Sequence, residues 1–211
     1  MTAEQFIAEY LVGCLGMKHF VVGYDHGFGK GRHVSTKELE EFSHKYHFGL
    51  EILPPVIIDR KPVKSSVIRE LLFEGKVDKA SELLGAPYSL EGAIIEGRGV
   101  GKEIGFPTAN MELPDTEKII PAAGVYSGKI LFDKKHREAL IVIGTSPTFN
   151  IKEQSIEIHI PGFTGNLYGK KVRIEFVNRL RDIEKFHSQH DLVQQIKRDI
   201  EQSKQFITNK K

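Results

Sequence analysis

Between Gly97 and Asn110 the chain reads Gly-Arg-Gly-Val-Gly-Lys-Glu-Ile-Gly-Phe-Pro-Thr-Ala-Asn. Gly97, Gly99, Gly101 and Gly105 alternate with the basic residues Arg98 and Lys102, and a rigid Phe106-Pro107 step then delivers Thr108 and Asn110. Glycines let backbone N–H groups turn toward an anion, the two cations add charge, and a hydroxyl with an amide oxygen can meet a hard cation. The stretch therefore suits a polyphosphate. It is not a P-loop, because Lys102 meets Glu103 where a Ser or Thr is needed, and Pro107 follows where a helix should continue. Taken alone, Gly97–Gly101 reads equally well as a hairpin connection.

A second candidate is Glu157 in the alternating run Ile156-Glu157-Ile158-His159-Ile160, which puts the three isoleucines on one face and Glu157 with His159 on the other. A carboxylate on a strand serves as a proton acceptor or simply stands in solvent, and His159 is open to a structural or a site role. Ser65-Ser66 with Arg69 one turn later makes an anion site at a helix N-terminus or an ordinary cap. The pairs His44/His47 and His187/His190 have no third ligand at metal-site spacing and read as surface residues. Cys14 is the only cysteine, which excludes an internal disulfide framework and cysteine-based metal clusters.

The elements that must carry these residues change character near residue 87. Before it helices and strands alternate: a helix over Glu4–Leu15 stopped by Gly16, a strand at Phe20–Tyr24, and a helix from the Ser35/Glu38 capping box to Tyr46 with Gly49 past its end. A strand around Leu50–Ile58, broken by Pro54-Pro55, and two short helices at about 67–74 and 78–84 follow. This is a parallel α/β layer with too few strands to cover both faces. Gly85-Ala86-Pro87 reads as the linker. Beyond it, strand-type runs at Ser89–Glu96, Gly124–Phe132, Glu138–Ile143, Ser155–Ile160 and Lys171–Val177 predict a small antiparallel barrel, with Gly97–Asn110 on a loop between strands. A last helix is capped by Ser188 and shows an apolar stripe of Leu192, Val193, Ile196 and Ile200.

The 211 residues suffice for one large or two small domains, and a formal net charge of +2 leaves any basic site local. Without an aromatic and basic stripe, a membrane-length apolar run or a secretory signal, nucleic-acid and membrane partners are not expected. The expected compartment is the cytoplasm.

Gly105-Phe106-Pro107-Thr108-Ala109-Asn110, preceded by Gly97-Arg98-Gly99, resembles the signature of the riboflavin kinase family. Similar matches run in order through Pro121–Tyr126, Ile143–Phe149, Ile156–Ile160, Leu167–Lys170 and Leu180–Phe186 to the closing helix, over roughly residues 84–205. The resemblance implies a Greek-key barrel that moves the γ-phosphate of ATP onto the ribityl 5′-hydroxyl of riboflavin, giving FMN. It implies Thr108 and Asn110 as ligands of Mg²⁺ and nucleotide phosphates, and Gly97, Arg98, Gly99, Gly101, Lys102, Gly105 and Pro107 as the loop over ATP. Glu157 becomes the base, and the flavin is expected at Arg181, Phe186 and Leu192.

A second resemblance lies in Val22–Arg32 and Ser65–Arg69, which look like two motifs of the bacterial bifunctional enzyme whose N-terminal nucleotidyltransferase domain makes FAD from FMN and ATP. It singles out Gly23, Asp25, Phe28, Arg32, Ser65, Ser66 and Arg69. That family's Gly-rich loop and His-x-Gly-His motif would lie upstream of Met1, and Gly27 stands where the family often has a basic residue. Adenylyl transfer is therefore expected to be absent or feeble, with this part mainly a scaffold. The fold expected is α+β, a partial Rossmann-like nucleotidyltransferase segment over 1–84 followed by a small antiparallel Greek-key barrel with a C-terminal helix over 85–211. The full bifunctional enzyme and a non-catalytic flavin or nucleotide-binding module are the alternatives, and the oligomeric state is left open, monomer included.

Overall fold

The computed structural model describes residues 1–24, 27–28, 34–97, 101, 104–114, 118–145 and 154–208. The chain divides into two compact units, Met1–Val63 and Lys64–Lys211.

In the first unit helix α1 (Ala3–Gln5) opens on a Thr2 capping box and runs on as a π-type segment, Phe6–Cys14. The expected helix is present but widened, with the Leu15 N–H donating to the Tyr10 carbonyl at 2.9 Å. Strands β1 (His19–Gly23) and β2 (Gly49–Leu53) pair in parallel, joined through helix α2 (Thr36–Tyr46). A parallel pair needs such a crossover because its strands start from the same end. The Ser35/Glu38 capping box starts α2 as expected, whereas its end falls at His47, left-handed at φ 54°, before Gly49 is reached. A small hairpin of β3 (Ile57–Ile58) and β4 (Lys61–Pro62) turns on Asp59 and Arg60, both at positive φ. Ile7, Val22, Leu39 and Phe48 form the core of this unit.

The second unit opens with helices α3 (Ser65–Phe73) and α4 (Val77–Leu84), then β5 (Ser89–Ile95), β6 (Thr108–Glu112), β7 (Gly124–Phe132), β8 (Lys135–Thr145), β9 (Gln154–His159) and β10 (Lys171–Arg181). The six strands close in the order β10-β5-β6-β9-β8-β7, every pairing antiparallel. Strands β7, β8 and β9 follow one another, and β10 returns to lie beside β7, which is the Greek-key order. Closure leaves no free edge. β10 pairs with both β5 and β7, with register shifts between Phe176 and Asn178 and between Arg179 and Arg181 where it serves β7.

Two sequence expectations differ from the structure. Thr108–Glu112 is a strand, not part of a loop: its ladders to β5 and β9 override a composition poor in strand formers. The helices before Gly85 belong with the barrel, since Leu72, Val77 and Ala80 are buried in the same cluster as Leu90, Tyr126 and Ile174. Gly85, left-handed at φ 70°, thus ends α4 within a unit that begins at Lys64. The final helix α5 (Gln189–Thr208), which packs on β7, β8 and β10, half-buries the expected stripe of Leu192, Val193, Ile196 and Ile200, and the same face continues at helical spacing through the more deeply buried Asp199, Ser203 and Ile207. Its expected cap is present: the Asp191 N–H donates to the Ser188 hydroxyl at 3.1 Å.

Candidate functional site

The alternation of β9 decides which side chains can meet. Ile156 and Ile158 are buried in the barrel core, so Glu157 and His159 stand on the outer face. In the ladder to β6, Asn110 lies directly across from Glu157 and Thr108 directly across from His159. Directly opposed residues of an antiparallel pair share a face. Four polar side chains separated by about fifty positions of sequence are thereby gathered on one patch. The Thr108 hydroxyl donates to Glu157 Oε2 at 3.1 Å, the only side-chain hydrogen bond to the Glu157 carboxylate among the described residues. With its proton committed to the carboxylate, Thr108 Oγ1 keeps its lone pairs for a cation or a donor.

The glycine-rich approach fits tightly over this patch. A Cβ on Gly97 would fall 1.7 Å from Asn110 Nδ2, so only glycine lets the Asn110 amide lie against the main chain there. A Cβ on Gly101 would fall 2.4 Å from the Phe106 carbonyl oxygen and 3.3 Å from Thr108 Oγ1. The Phe106 N–H donates to the Gly101 carbonyl at 2.8 Å, and Gly105 supplies the left-handed turn at φ 82° between them. Pro107 is exposed, and its carbonyl lies 2.9 Å from His159 Nδ1. Arg98, Gly99 and Lys102, also expected to contact ATP, lie outside the described residues.

Beside Thr108 a cavity of about 430 Å³ opens at the mouth of the barrel. Inner-face residues Ile94, Ala109 and Ile158 form its floor, Pro107 and Thr108 its rim, and the Phe163–Tyr168 segment its far wall. Its size and apolar lining are those of a small-molecule site. Thr108 both lines the cavity and hydrogen-bonds the Glu157 carboxylate. Sequence reading took Gly162–Asn166 only for a turn and gave Leu167-Tyr168 no role. The signal in the sequence was the motif match at Leu167–Lys170, whereas the tight fit at Gly165, where a Cβ would fall 2.4 Å from the Phe163 ring, exists only in the fold.

Of the three residues expected at the flavin, the structure brings two together. The Arg181 guanidinium lies 5.6 Å from the centre of the Phe186 ring, and it also holds Asp199 through Nε–H and Nη2–H at 2.8–3.1 Å. Its remaining donor Nη1 serves the Asp182 carbonyl at 3.0 Å. Arg181 thus ties β10 to α5, a structural role its position did not announce. Leu192 sits half-buried at the start of α5.

The family model for riboflavin kinase matches residues 84–207, which span β5 to β10 and nearly all of α5. The chain belongs to the riboflavin kinase family. Members of this family use ATP and riboflavin as substrates. A second family model, FAD synthetase, matches residues 1–67. The bifunctional riboflavin kinase/FMN adenylyltransferase of Haemophilus influenzae is 35% identical over 98% of this chain and 67% of its own length. That of Bacillus subtilis is 33% identical over 99% of this chain and 66% of its own. The chain thus spans about two thirds of the curated relatives it matches. The structure of a macrolide-efflux protein from Streptococcus pneumoniae superposes with a TM-score of 0.86 at 32% identity, over 97% of this chain and 65% of that one. No helix of the described residues is long and apolar enough to cross a membrane.

The riboflavin kinase barrel carries the Thr108, Asn110 and Glu157 patch. Of the residues singled out by the adenylyltransferase resemblance, Gly23, Phe28, Ser65, Ser66 and Arg69 are described. Gly23 ends β1, and Phe28 packs edge-on against Phe20 at 5.4 Å. Ser65 and Ser66 are exposed in the first turn of α3, where Lys64 occupies the cap position without a side-chain bond, and Arg69 is exposed. Neither serine is the cap. Asp25 and Arg32 lie outside the described residues. The four histidines His44, His47, His187 and His190 are exposed, as expected of surface residues. Among the described residues no three His, Cys, Asp or Glu side chains cluster as a metal site.

Proposed function

We propose that Thr108, Asn110 and Glu157 organise transfer of the γ-phosphate of ATP to the ribityl 5′-hydroxyl of riboflavin, giving FMN and ADP. The observation that carries this is the Thr108–Glu157 hydrogen bond at the rim of the cavity. The adenine ring fits the apolar mouth, which places the phosphates of ATP across Thr108 toward the outer face. There Glu157 accepts the proton of the attacking hydroxyl as the new P–O bond forms and the bond to ADP breaks. Positioning and charge neutralisation are what such a transfer demands of a protein. Thr108 Oγ1 and the Asn110 carboxamide oxygen are hard neutral donors on one face, so they fit Mg²⁺ shared with phosphates and water. When bound, that ion neutralises charge on the transferred phosphoryl group. The acceptor flavin is assigned to the side of Arg181, Phe186 and Leu192, with the Gly97–Gly105 loop over the nucleotide, and the cytoplasm as compartment.

Incubation with riboflavin, ATP and Mg²⁺ followed by chromatography of the flavins tests the proposal. FMN is expected, and its absence above a no-enzyme control sinks it. Flavin binding without turnover would favour a binding module instead. A second reading, that the chain also makes FAD, is supported by the FAD synthetase match to residues 1–67. An FAD peak in the same chromatogram decides it.

A further inference from the structure

His159 has no part in the transfer described above, yet it is the most buried polar side chain on the patch, 8% exposed. Its Nδ1 lies 2.9 Å from the Pro107 carbonyl oxygen, and its ring meets Phe106 edge-on at 5.5 Å. A carbonyl oxygen only accepts, so the proton in this bond sits on Nδ1. Pro107 has no N–H to anchor it, and proline fixes only its own φ. The Phe106-Pro107 step is therefore held from two sides: the Phe106 N–H on Gly101, and the Pro107 carbonyl on His159. That carbonyl belongs to the planar peptide leading into Thr108. Its direction sets where the Thr108 Cβ and hydroxyl point, and His159 is itself the residue directly across the ladder from Thr108.

We propose that His159 is a positioning residue for the nucleotide: its Nδ1–H bond to the Pro107 carbonyl aims Thr108 Oγ1 at the phosphates and at Glu157. The inference rests on the assignment of Thr108 to the phosphate side of ATP. It predicts an effect confined to nucleotide, because the bond fixes β6 and leaves β10 and α5 untouched.

Two substitutions and one spectrum test it on the full chain. In His159→Phe the ring still packs on Phe106 but the donor is gone. In His159→Asn the amide Nδ2 stands close to the former Nδ1 and can restore the bond. Calorimetry of ADP with and without Mg²⁺ is expected to show roughly tenfold weaker binding for His159→Phe, with most of it recovered in His159→Asn. KM for ATP rises in step while KM for riboflavin stays at the wild-type value. Long-range ¹H–¹⁵N correlation of the wild-type imidazoles is expected to show the Nδ1-protonated form for His159. The proposal is overturned if His159→Asn binds ADP no better than His159→Phe, if both substrates' KM values rise together, or if the imidazole carries its proton on Nε2. It is overturned equally if His159→Asn restores Tm without restoring ADP affinity, since that is a purely structural histidine. Wild-type protein that binds ADP but forms no FMN would remove the kinase reading, while the affinities and the spectrum would still decide the role of His159.

Discussion

Among the described residues, two parallel strands in the unit from Met1 to Val63 pair only with each other, whereas six antiparallel strands in the unit from Lys64 to Lys211 close on themselves. The open pair leaves apolar strand residues in solvent: Val21 is 50% exposed and Leu53 45%. In the barrel each strand is bonded on both sides, so β6 and β9 cannot slip in register without breaking further ladders. That matters for chemistry, because a one-residue slip would send Glu157 to the core face and Ile158 to the patch. The contrast explains why Thr108, Asn110 and Glu157 are held on one face of the barrel. The described residues of the adenylyltransferase resemblance stand at a strand end, in an aromatic contact and on the exposed first turns of α3.

The comparison breaks most sharply at Glu157. Glu157→Gln is expected to lower kcat for FMN formation by about 10²–10⁴, with ADP affinity near wild type by calorimetry. Unchanged turnover would remove Glu157 from the role of base. Next in size, Asp199→Ala leaves the half-buried Arg181 without its partner and should cost roughly 3 kcal/mol in urea unfolding. The matching pair in the first unit, Lys45 with Glu4, is exposed, so Glu4→Gln should leave the unfolding midpoint where it was. Equal effects would show that burial does not separate the two units. A smaller change is expected of Gly97→Ala, whose methyl group displaces the Asn110 amide: ADP binding falls on the order of tenfold with little change in Tm.

The smallest effects are those of pH, and they fall on opposite sides for the two units. The Ser35 N–H, with its hydroxyl, holds the Glu38 carboxyl below its ordinary value. The α2 cap therefore contributes stability above the usual carboxylate range and loses it as pH falls through the lowered value. Burial pushes the Tyr126 phenol up, against an opposing pull from Arg179. Its contribution is intact below the ordinary tyrosine value of about 10 and is lost as pH rises through the raised one. Unfolding followed from acid to alkaline pH should show the acid limb flattened in Glu38→Gln and the alkaline limb flattened in Tyr126→Phe. Either limb surviving its substitution refutes that assignment.

Much of the barrel could be read directly from residue order. The alternation in Ser89–Ile95, Gly124–Phe132 and Ser155–Ile160 marks strands, because side chains on a strand face opposite sides in turn. The caps at Ser35 and Ser188 were legible for a similar reason: an N-cap and its third residue interact within one turn. β6 was not legible. Thr-Ala-Asn-Met-Glu has no alternation of apolar and polar residues strong enough to announce a strand, and only β5 on one side and β9 on the other make it one. The burial of Asp199 on the same face of α5 was hidden for a related reason, since it looks like a surface residue until Arg181 is folded against it.

By itself, then, the sequence determined whatever depends on neighbours within a few positions: strand and helix periodicity, caps, and the glycine and proline chemistry of Gly97–Pro107. The ordered motifs that mark the riboflavin kinase family are legible there as well. Which face Thr108 and Asn110 share with Glu157 and His159 was decided only by the β6–β9 register, because a ladder joins residues about fifty positions apart. The role of His159 belongs with them. Its partner is the carbonyl of a proline on another strand's approach, and a backbone acceptor leaves no mark in the residue type that carries it.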